Sequence, residues 1–153
     1  MDMKKAMDLA QESINGFTDR FADQHRADLA KALDTSREVA SSYAAAMQLN
    51  GPDITLAHRA LADAAAGHPT PARELLPEGD FLDEYLASSP DPSRVNSAMP
   101  RVIPRNLAVE AALNAAERGD MSPYQELLHA VTHPWEPNPS FESPDPNGLE
   151  GYL

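Results

Sequence analysis

Apolar side chains recur at helical spacing along most of the chain, up to about residue 132. In the first segment they are three, four and eight positions apart, which places on one helical face Ile14, Phe17, Phe21, Leu29 and Leu33. The Asn15-Gly16 pair interrupts this pattern, and glycine costs about 1 kcal/mol inside a helix. We therefore expect a helical segment that can divide at Gly16.

Residues that favour helix starts and stops divide the next stretch. Thr35 with Glu38 predicts a capping box at the start of a second helix, which Asn50-Gly51-Pro52 ends. Asp53 is typical of an N-cap and predicts a third helix, which runs to Gly67. Thr70-Pro71 predicts a cap followed by a first-turn proline, at the start of a short helix that ends near Leu76, and Asp80 predicts the cap of another short helix.

Proline and glycine organise the remainder. Four prolines between residues 88 and 104 predict an ordered or semi-ordered connection. We expect Pro104 to open a helix that ends at Gly119, and Ser122-Pro123 to open the last helix, with Gln125 completing a capping box. No stretch alternates apolar and polar residues as a strand does.

These patterns predict an all-α fold of six to seven short-to-medium helices in an irregular orthogonal bundle, followed by a proline-rich extended C-terminal tail. We assign residues 1–133 to the helical domain and residues 134–153 to an acidic tail rich in proline. Such a tail is either disordered or a strap along the protein surface. We favour the strap, because it carries aromatic residues that can serve as anchors, Trp135, Phe141 and Tyr152.

The amino-acid composition excludes or disfavours several classes of function. The 153 residues include 24 acidic and 12 basic side chains, a net charge of -12, which disfavours binding to nucleic acid or to an anionic membrane. Cysteine is absent, which excludes disulfides, zinc–thiolate sites and cysteine nucleophiles. No apolar run approaches the roughly 20 residues of a membrane-spanning helix. The chain also lacks a secretory signal, so we expect a cytoplasmic protein.

Two histidines and a glutamate near the C-terminal end of the last helix have a spacing that metal ligands also show. His129 and His133 are four residues apart near a helix end, with Glu126 on the same side. The helical H-E-x-x-H order is absent, however, and His133 precedes Pro134, where the helix ends. We interpret the pair as surface histidines and predict no metal ligands. His25, His58 and His68 stand alone.

Nucleotide binding and catalysis find no support in the residues themselves. Neither glycine-rich phosphate motif is present, and the signatures of a kinase catalytic loop are missing. Asp83 and Glu84 are adjacent, so on a helix they point about 100° apart and form a solvated face. We predict no catalytic residue, no cofactor-binding residue and no cofactor held by this chain.

Residues 100–106, Pro-Arg-Val-Ile-Pro-Arg-Asn, form the most informative stretch. Two prolines four positions apart fix the approach to a helix, and Arg105 falls in its first turn. A cation at that end opposes the helix dipole. We therefore expect that a carboxylate elsewhere in the chain holds Arg105, or that Arg105 holds a carbonyl of the incoming loop.

From this stretch the sequence resembles the C-terminal region of the selenoprotein O family, kinase-like protein adenylyltransferases. The likeness runs through the alanine-rich residues 107–119, Tyr124, Leu127-Leu128 and residues 133–136, His-Pro-Trp-Glu. Upstream, Asp53-Ile54-Thr55-Leu56 with Arg59 is similar to a family stretch, as are residues 17–21. The motifs are short, but they occur in the family's order. Two departures are Met99, where the family usually has Asn, and the lack of a terminal Cys or selenocysteine motif.

The resemblance implies that the chain is the helical end of a protein of several hundred residues that transfers AMP from ATP to protein hydroxyls with the help of Mg²⁺. The residues that do this in the family lie in the upstream kinase-like core and have no counterpart here. The chain would then be non-catalytic alone, with that core or another protein as its partner. The alternative is a self-standing helical interaction module, and a small independent enzyme is the weakest hypothesis.

Overall fold

A computed structural model describes residues 3–144, and within that range the regular backbone is helical, with no strand. This confirms the all-α class. The helices are α1 (Met3–Asn15), α2 (Phe17–Ala32), α3 (Arg37–Asn50), α4 (Ile54–Ala65), α5 (Thr70–Leu75), α6 (Phe81–Ala87), α7 (Pro92–Ala98), α8 (Asn106–Glu117), α9 (Ser122–Thr132) and α10 (Pro139–Glu142).

The described residues thus form more helices than the six to seven expected. The first segment divides at Gly16 into α1 and α2, as the Asn15-Gly16 pair indicated. Residues 88–104 are not a connection throughout, because Asp91 accepts a hydrogen bond from the Ser93 N–H (2.8 Å) and Pro92 starts α7. Proline is well tolerated at this first helical position, which has no intrahelical donor to lose.

Some predicted helix starts are confirmed and others move. Asp53 caps α4, and Ser122 is the first residue of α9. The Thr35 cap was wrong: the Thr35 hydroxyl donates to Ser88 Oγ, and Ser36 caps α3 by accepting from the Val39 N–H (3.3 Å). The Pro104 start was also wrong, because Arg105 is still extended (φ -79°, ψ 144°) and α8 begins at Asn106, two residues after Pro104.

Three further predicted caps form no side-chain cap in the structure. Asp80 precedes α6 without accepting a capping hydrogen bond. Thr70 is the first helical residue of α5 rather than its cap. Gln125 completes no box, since Met121 occupies the N-cap position of α9. Instead the Asp120 carboxylate accepts from the Ser122 N–H (3.0 Å), one residue earlier in the turn.

The core lies among α2 to α6. Its buried side chains are Leu33, Tyr43, Ala46, Ala60, Leu61, Ala64, Ala72, Leu76, Phe81, Leu82 and Tyr85. Phe81 packs between two tyrosines, with ring centroids 5.3 Å from Tyr43 and 5.6 Å from Tyr85. Alanines let the helices approach closely, while the aromatic rings and the leucines fill the space between them.

The helices α8 and α9 form a hairpin, joined by residues 118–121, that packs mainly on itself. The core cluster, as far as residues 3–144 show, takes no side chain from either helix. After the hairpin, residues 134–142 turn back along the body, where Pro134 O accepts from the N–H groups of Arg101 (2.8 Å) and Val102 (3.0 Å). We call residues 134–142 the strap.

The strap is held differently from the way the sequence indicated. Trp135, expected as an anchor, is 55% exposed, and Phe141 is only partly buried. Tyr152 lies outside the described residues. The buried side chain of the strap is a carboxylate, Glu142, 8% exposed. Between residues 3 and 144 no helix has the length and apolar character needed to cross a membrane.

Candidate functional site

The N-terminus of α4 is the point where the bundle meets the hairpin. Asp53 is extended (φ -60°, ψ 126°), and its Oδ1 accepts from the Leu56 N–H (2.9 Å), which is the N-cap geometry. Both carboxylate oxygens also face Arg105, with Nη1 at 2.7 Å from Oδ2 and Nη2 at 3.2 Å from Oδ1. A planar guanidinium matches a carboxylate in this two-bond arrangement. The expectation that a carboxylate elsewhere holds Arg105 is confirmed.

The environment of Asp53 keeps it ionised. Partial burial raises the pKa of this carboxyl, but hydrogen bonds from Arg105 and from the Leu56 N–H outweigh burial, so that the pKa lies below its ordinary value of 3.8. Only about a tenth of the Arg105 side chain is exposed. The cation that seemed badly placed at the start of α8 is thus neutralised by the cap of α4.

A second ion-pair cluster lies further along α4. Glu142 Oε2 is 2.8 Å from Arg59 Nη1 of α4, and Glu142 Oε1 accepts from Arg101 Nε (3.1 Å). The same Oε1 accepts from the Asn138 N–H (2.9 Å), which holds the short α10 turn. One carboxylate therefore ties together three segments, namely α4, the approach to α8 and the strap. We call Arg59, Arg101 and Glu142 the strap clamp.

The strap clamp also favours the ionised carboxylate. Burial raises the pKa of Glu142, while the Arg101 and Asn138 hydrogen bonds and the Arg59 charge lower it, and the net shift is downward from 4.5. Sequence reasoning named Arg59 and Arg101 in motifs but assigned them no partner, and it missed Glu142. No periodicity marks a partner 83 residues from Arg59, because the pairing exists only once the strap folds back.

The histidines that invited a metal site do not assemble one. His129 and His133 stack with centroids 4.4 Å apart, and His133 Nδ1 is 2.9 Å from the carbonyl oxygen of His129. Glu126 and His129 line a cleft with Asn138, Ser140 and Phe141, but His133 is not part of that lining. Among residues 3–144 no three His, Cys, Asp or Glu side chains are grouped so that they could hold a metal ion.

The other polar residues singled out in the sequence occupy separate places. His58 is buried, with Nε2 2.8 Å from Val95 O, and burial lowers its pKa in spite of that contact. Asp83 lies at the surface in an exposed pair with Arg73 (3.0 Å). His25 stacks on Phe21 on the exposed side of α2. These groups do not converge on one pocket.

This geometry is suited to holding helices and loops together rather than to catalysing a reaction. The carboxylates at α4 are engaged by arginines and backbone donors, so their charge orients neighbouring segments. The described residues do not fit a nucleotide with Mg²⁺, because no acidic cluster suits the ion, and Arg59, Arg101 and Arg105 already hold carboxylates. We therefore derive no chemical step from this chain.

Two surfaces of the described structure expose large apolar side chains. On α1 and α2 the large exposed side chains include Met7, Ile14, Phe17 and Phe21, and no residue of α1 is buried. On the hairpin they include Leu113, Tyr124 and Leu128. Contiguous exposed apolar patches of this kind mark interaction surfaces in soluble proteins.

Comparison with known proteins gives this geometry its context. The chain is 33% identical to the protein nucleotidyltransferase YdiU of Corynebacterium efficiens, in a match that covers 94% of the chain and 30% of that protein. It is 32% identical to the protein of that name from a Bradyrhizobium species, over 95% of the chain and 35% of the relative. The relative from Mycolicibacterium paratuberculosis is 33% identical, with 97% and 34% covered.

The chain thus spans about a third of the length of the curated relatives that it matches. No family profile matches it, and no solved structure does. The matched portion contains the Asp53 and Arg105 motifs, which the structure joins in one ion pair. The resemblance to the selenoprotein O family is thus confirmed, because almost the whole chain aligns with protein nucleotidyltransferases named YdiU, over about a third of their length.

Proposed function

We propose that this chain is the helical C-terminal portion of a selenoprotein-O-like protein adenylyltransferase, and that it buttresses the kinase-like core of that enzyme. In the full-length protein the core would transfer AMP from ATP to protein hydroxyls, with Mg²⁺ bound by core residues. The chain itself would contribute structure and no catalytic group. The observation that carries this proposal is the uncovered apolar face of α1 and α2, because the relatives are about three times as long as the chain.

That face has the features of half an interface. Phe17 is 62% and Phe21 60% exposed, and their rings lie 6.0 Å apart. The His25 ring extends the stack, 5.9 Å from Phe21. Burying a Phe side chain contributes about 1.5–3 kcal/mol, so leaving two in water is costly for a surface without a partner. A core that covers the stack would recover this free energy.

The exposed face also explains the composition. Leu, Ile, Val and Phe supply only 28 of the 153 residues, whereas alanine alone supplies 25. A domain that completes its core against another part of the same protein needs fewer large apolar residues of its own. We place the assembled enzyme in the cytoplasm, with no role for nucleic acid or membrane. No observation favours the alternative of a self-standing interaction module.

The test is to add the missing part in trans. The part of the Corynebacterium efficiens relative that the match leaves out is co-expressed with this chain, and the two are tested for co-purification and a raised melting temperature. We expect a complex that Phe17→Ala/Phe21→Ala weakens at least tenfold. Leu49→Ala, an equally exposed apolar residue on α3, is the control. Two components that melt as they do separately would remove the basis of the buttress.

A further inference from the structure

The exposed apolar residues of α1 and α2 follow a seven-residue repeat. Alternating steps of four and three positions connect six of them, which are Met3, Met7, Ala10, Ile14, Phe17 and Phe21. All six side chains are exposed, the five larger ones by 60% to 77%. Residues at these steps occupy the a and d positions of a heptad and form one narrow line along a helix. We call these six residues the seam.

The seam continues across the junction of α1 and α2. The Gly16 N–H donates to Glu12 O (3.0 Å), and the Arg20 N–H donates to Gly16 O (3.2 Å), so helical hydrogen bonds run through the junction. Arg20 Nη2 also donates to Ser13 O (2.7 Å), which links the two helices. The two helices therefore present the seam as one rod, which spans about 27 Å at the helical rise of about 1.5 Å per residue.

The seam is narrower than the apolar stripe of a helix that packs on a globular body. Such a stripe has three to four apolar positions in every two turns, whereas a line of a and d positions alone suits one partner helix. Polar residues flank the middle of the seam, at Gln11, Ser13 and Thr18. The other large apolar residue of α1, Leu9, lies two positions from Met7, about 160° round the helix. The seam is therefore suited to a coiled coil.

The acidic residues of these helices avoid the seam. With Met7 as an a position, the four carboxylates between residues 3 and 25 all fall at the outward b, c and f positions: Asp8, Glu12, Asp19 and Asp23. The e and g positions flank the partner in a coiled coil. Over the same range they hold no carboxylate, and Arg20 and His25 occupy two of them. The flanks of the seam are thus neutral or basic, in a chain with twice as many acidic as basic residues.

We infer that the seam pairs with one long helix of the kinase-like core, as a two-stranded coiled coil in which the core helix carries apolar residues at a and d and Asp or Glu at e and g. The inference rests on the proposed function, since it names the element that covers α1 and α2. About two thirds of the length of the relatives lies outside the match and can supply this helix. Charges at e and g set the choice of partner, so the acidic flanks meet Arg20.

A second copy of this chain fits the seam less well than such a helix. Its e and g positions have the same residues as the first copy, so no carboxylate would face Arg20 in a parallel or an antiparallel pair. Juxtaposed flanks without opposite charges disfavour self-pairing. The charge pattern therefore favours a helix of different sequence.

The first experiment uses three synthetic peptides of four heptads. The first has Leu at a and d with Glu at e and g, the second has Lys at e and g, and the third has the composition of the first in scrambled order. Each is titrated into the isotope-labelled full chain, and dissociation constants and amide shifts are measured. We expect the glutamate peptide to bind at least tenfold more tightly than either other peptide, with shifts centred on α1 and α2.

This order of affinities is opposite to the one that net charge produces. The chain carries a net charge of -12, so attraction without a defined site would favour the lysine peptide. Tighter binding of the lysine peptide, equal binding of the glutamate and scrambled peptides, or shifts centred outside α1 and α2 would overturn the inference.

Variants then test the two features of the seam. Met7→Asp/Ile14→Asp should weaken the glutamate peptide at least tenfold, while Leu9→Asp, at a 50% exposed position on the other side of α1, should not. Arg20→Glu should reduce the preference for the glutamate peptide at least threefold, and Arg20→Lys should retain it. Far-UV circular dichroism of each variant checks that the helices remain. Equal effects of Leu9→Asp and Met7→Asp/Ile14→Asp contradict a heptad line.

The co-purified complex distinguishes this inference from the proposed function. If the core binds, and Phe17→Ala/Phe21→Ala weakens it while Met7→Asp/Ile14→Asp does not, the coiled coil fails and the buttress stands. If the core does not bind but the glutamate peptide still occupies the seam, the buttress fails, and with it the assignment of the helix to the core. We expect both variants to weaken the complex at least tenfold.

Sedimentation of the chain alone tests the second copy as the occupant. We expect a monomer at the concentrations used for the peptide titrations. A dimer that Met7→Asp/Ile14→Asp dissociates would overturn the inference in favour of self-pairing along the seam.

Discussion

Asp53 is one carboxylate that serves two elements. It caps α4 through the Leu56 N–H and neutralises Arg105 at the start of α8. Each contact explains a feature that is unfavourable alone, since a helix start leaves N–H groups without partners and a cation there opposes the dipole. The double contact places Asp53 between the motif around residue 53 and the motif around residue 105, which lie far apart in sequence.

Replacing Asp53 should separate the two contributions. Asp53→Ser keeps an N-cap acceptor but removes the partner of Arg105, which should cost about 2 kcal/mol because a charge-assisted bond is lost and the arginine is mostly buried. Asp53→Ala loses the cap as well and should cost about 1 kcal/mol more. Urea unfolding followed by circular dichroism measures both. Equal free energies of unfolding for the two variants would mean that the cap contributes nothing.

Asp53 and Glu142 also determine how the free energy of unfolding depends on pH in acid. The pKa values of Asp53 and Glu142 are lowered in the folded state, so near these pKa values the folded state binds fewer protons than the unfolded state does. Their stabilisation is complete above the ordinary values of 3.8 and 4.5 and is lost as the pH falls through the lower folded values. Arg59, Arg101 and Arg105 face these two carboxylates, so protonation of either carboxyl removes ion pairs that join the hairpin and the strap to α4.

Glu142→Gln should therefore flatten the dependence of the unfolding free energy on pH between about 5 and 3, because one of the shifted carboxyls no longer titrates. Urea unfolding at a series of pH values measures this slope. Glu84→Gln, at the exposed surface of α6, controls for the change in net charge. A Glu142→Gln profile that parallels the unaltered protein would contradict a clamp held by the ionised form.

At this scale the sequence was informative where both partners of a contact obey a local rule. Asp53 precedes an apolar run, as N-caps do, and Arg105 stands where a helix disfavours a cation, so each residue could be singled out alone. Glu142 obeys no local rule, since it is one of several carboxylates in a proline-rich stretch. We predicted Trp135 as an anchor of the strap instead, because burial of large rings is the commoner way to anchor a segment.

The hairpin and the strap are the elements that depend most on charge. Their links to the bundle include the Asp53–Arg105 pair, the strap clamp and the two hydrogen bonds to Pro134 O. The helices α2 to α6, in contrast, share an apolar core. Apolar burial and ion pairs respond differently to solvent, because salt screens partly exposed charges and leaves burial intact or strengthens it.

Removing the strap clamp should therefore open the strap without unfolding the bundle. Glu142→Ala leaves Arg59 and Arg101 without their shared carboxylate and should raise amide exchange in residues 134–142 at least tenfold. Exchange in α4 beyond its first turn should change little, because the core lies beneath it. Hydrogen exchange with mass spectrometry gives both values. Asp83→Asn, which breaks the exposed pair with Arg73, is the control and should leave the strap unchanged.

Helix prediction succeeded where the apolar period and the cap agreed, as at α4, which Asp53 caps. It failed at α7, because four prolines in residues 88–104 outweighed the fact that Asp91-Pro92 is itself a helix start. It shifted by one residue at α3, where Thr35 and Ser36 are both capable caps and a tertiary contact with Ser88 takes the first of them. The choice between two adjacent hydroxyls is made by packing, which no local pattern contains.

On the scale of the whole molecule, we expect no nucleotide chemistry from the chain alone. ATP with Mg²⁺ should leave its melting temperature unchanged, and labelled ATP should transfer no AMP to an added acceptor protein, because no described group fits the ion or a triphosphate. Thermal unfolding and a transfer assay with a full-length relative as the positive control test this. Any labelling by the isolated chain would contradict the proposed function.

Because α4 and Arg105 both depend on Asp53, local unfolding at these two places is thermodynamically coupled. When the first turn of α4 frays, the carboxylate leaves Arg105 at the same moment, and when the hairpin swings away, that turn loses part of what keeps its cap in place. Fraying at one site and detachment at the other thus become a single cooperative event. A force or a ligand that acts on the hairpin will be felt at the start of a helix in the middle of the bundle.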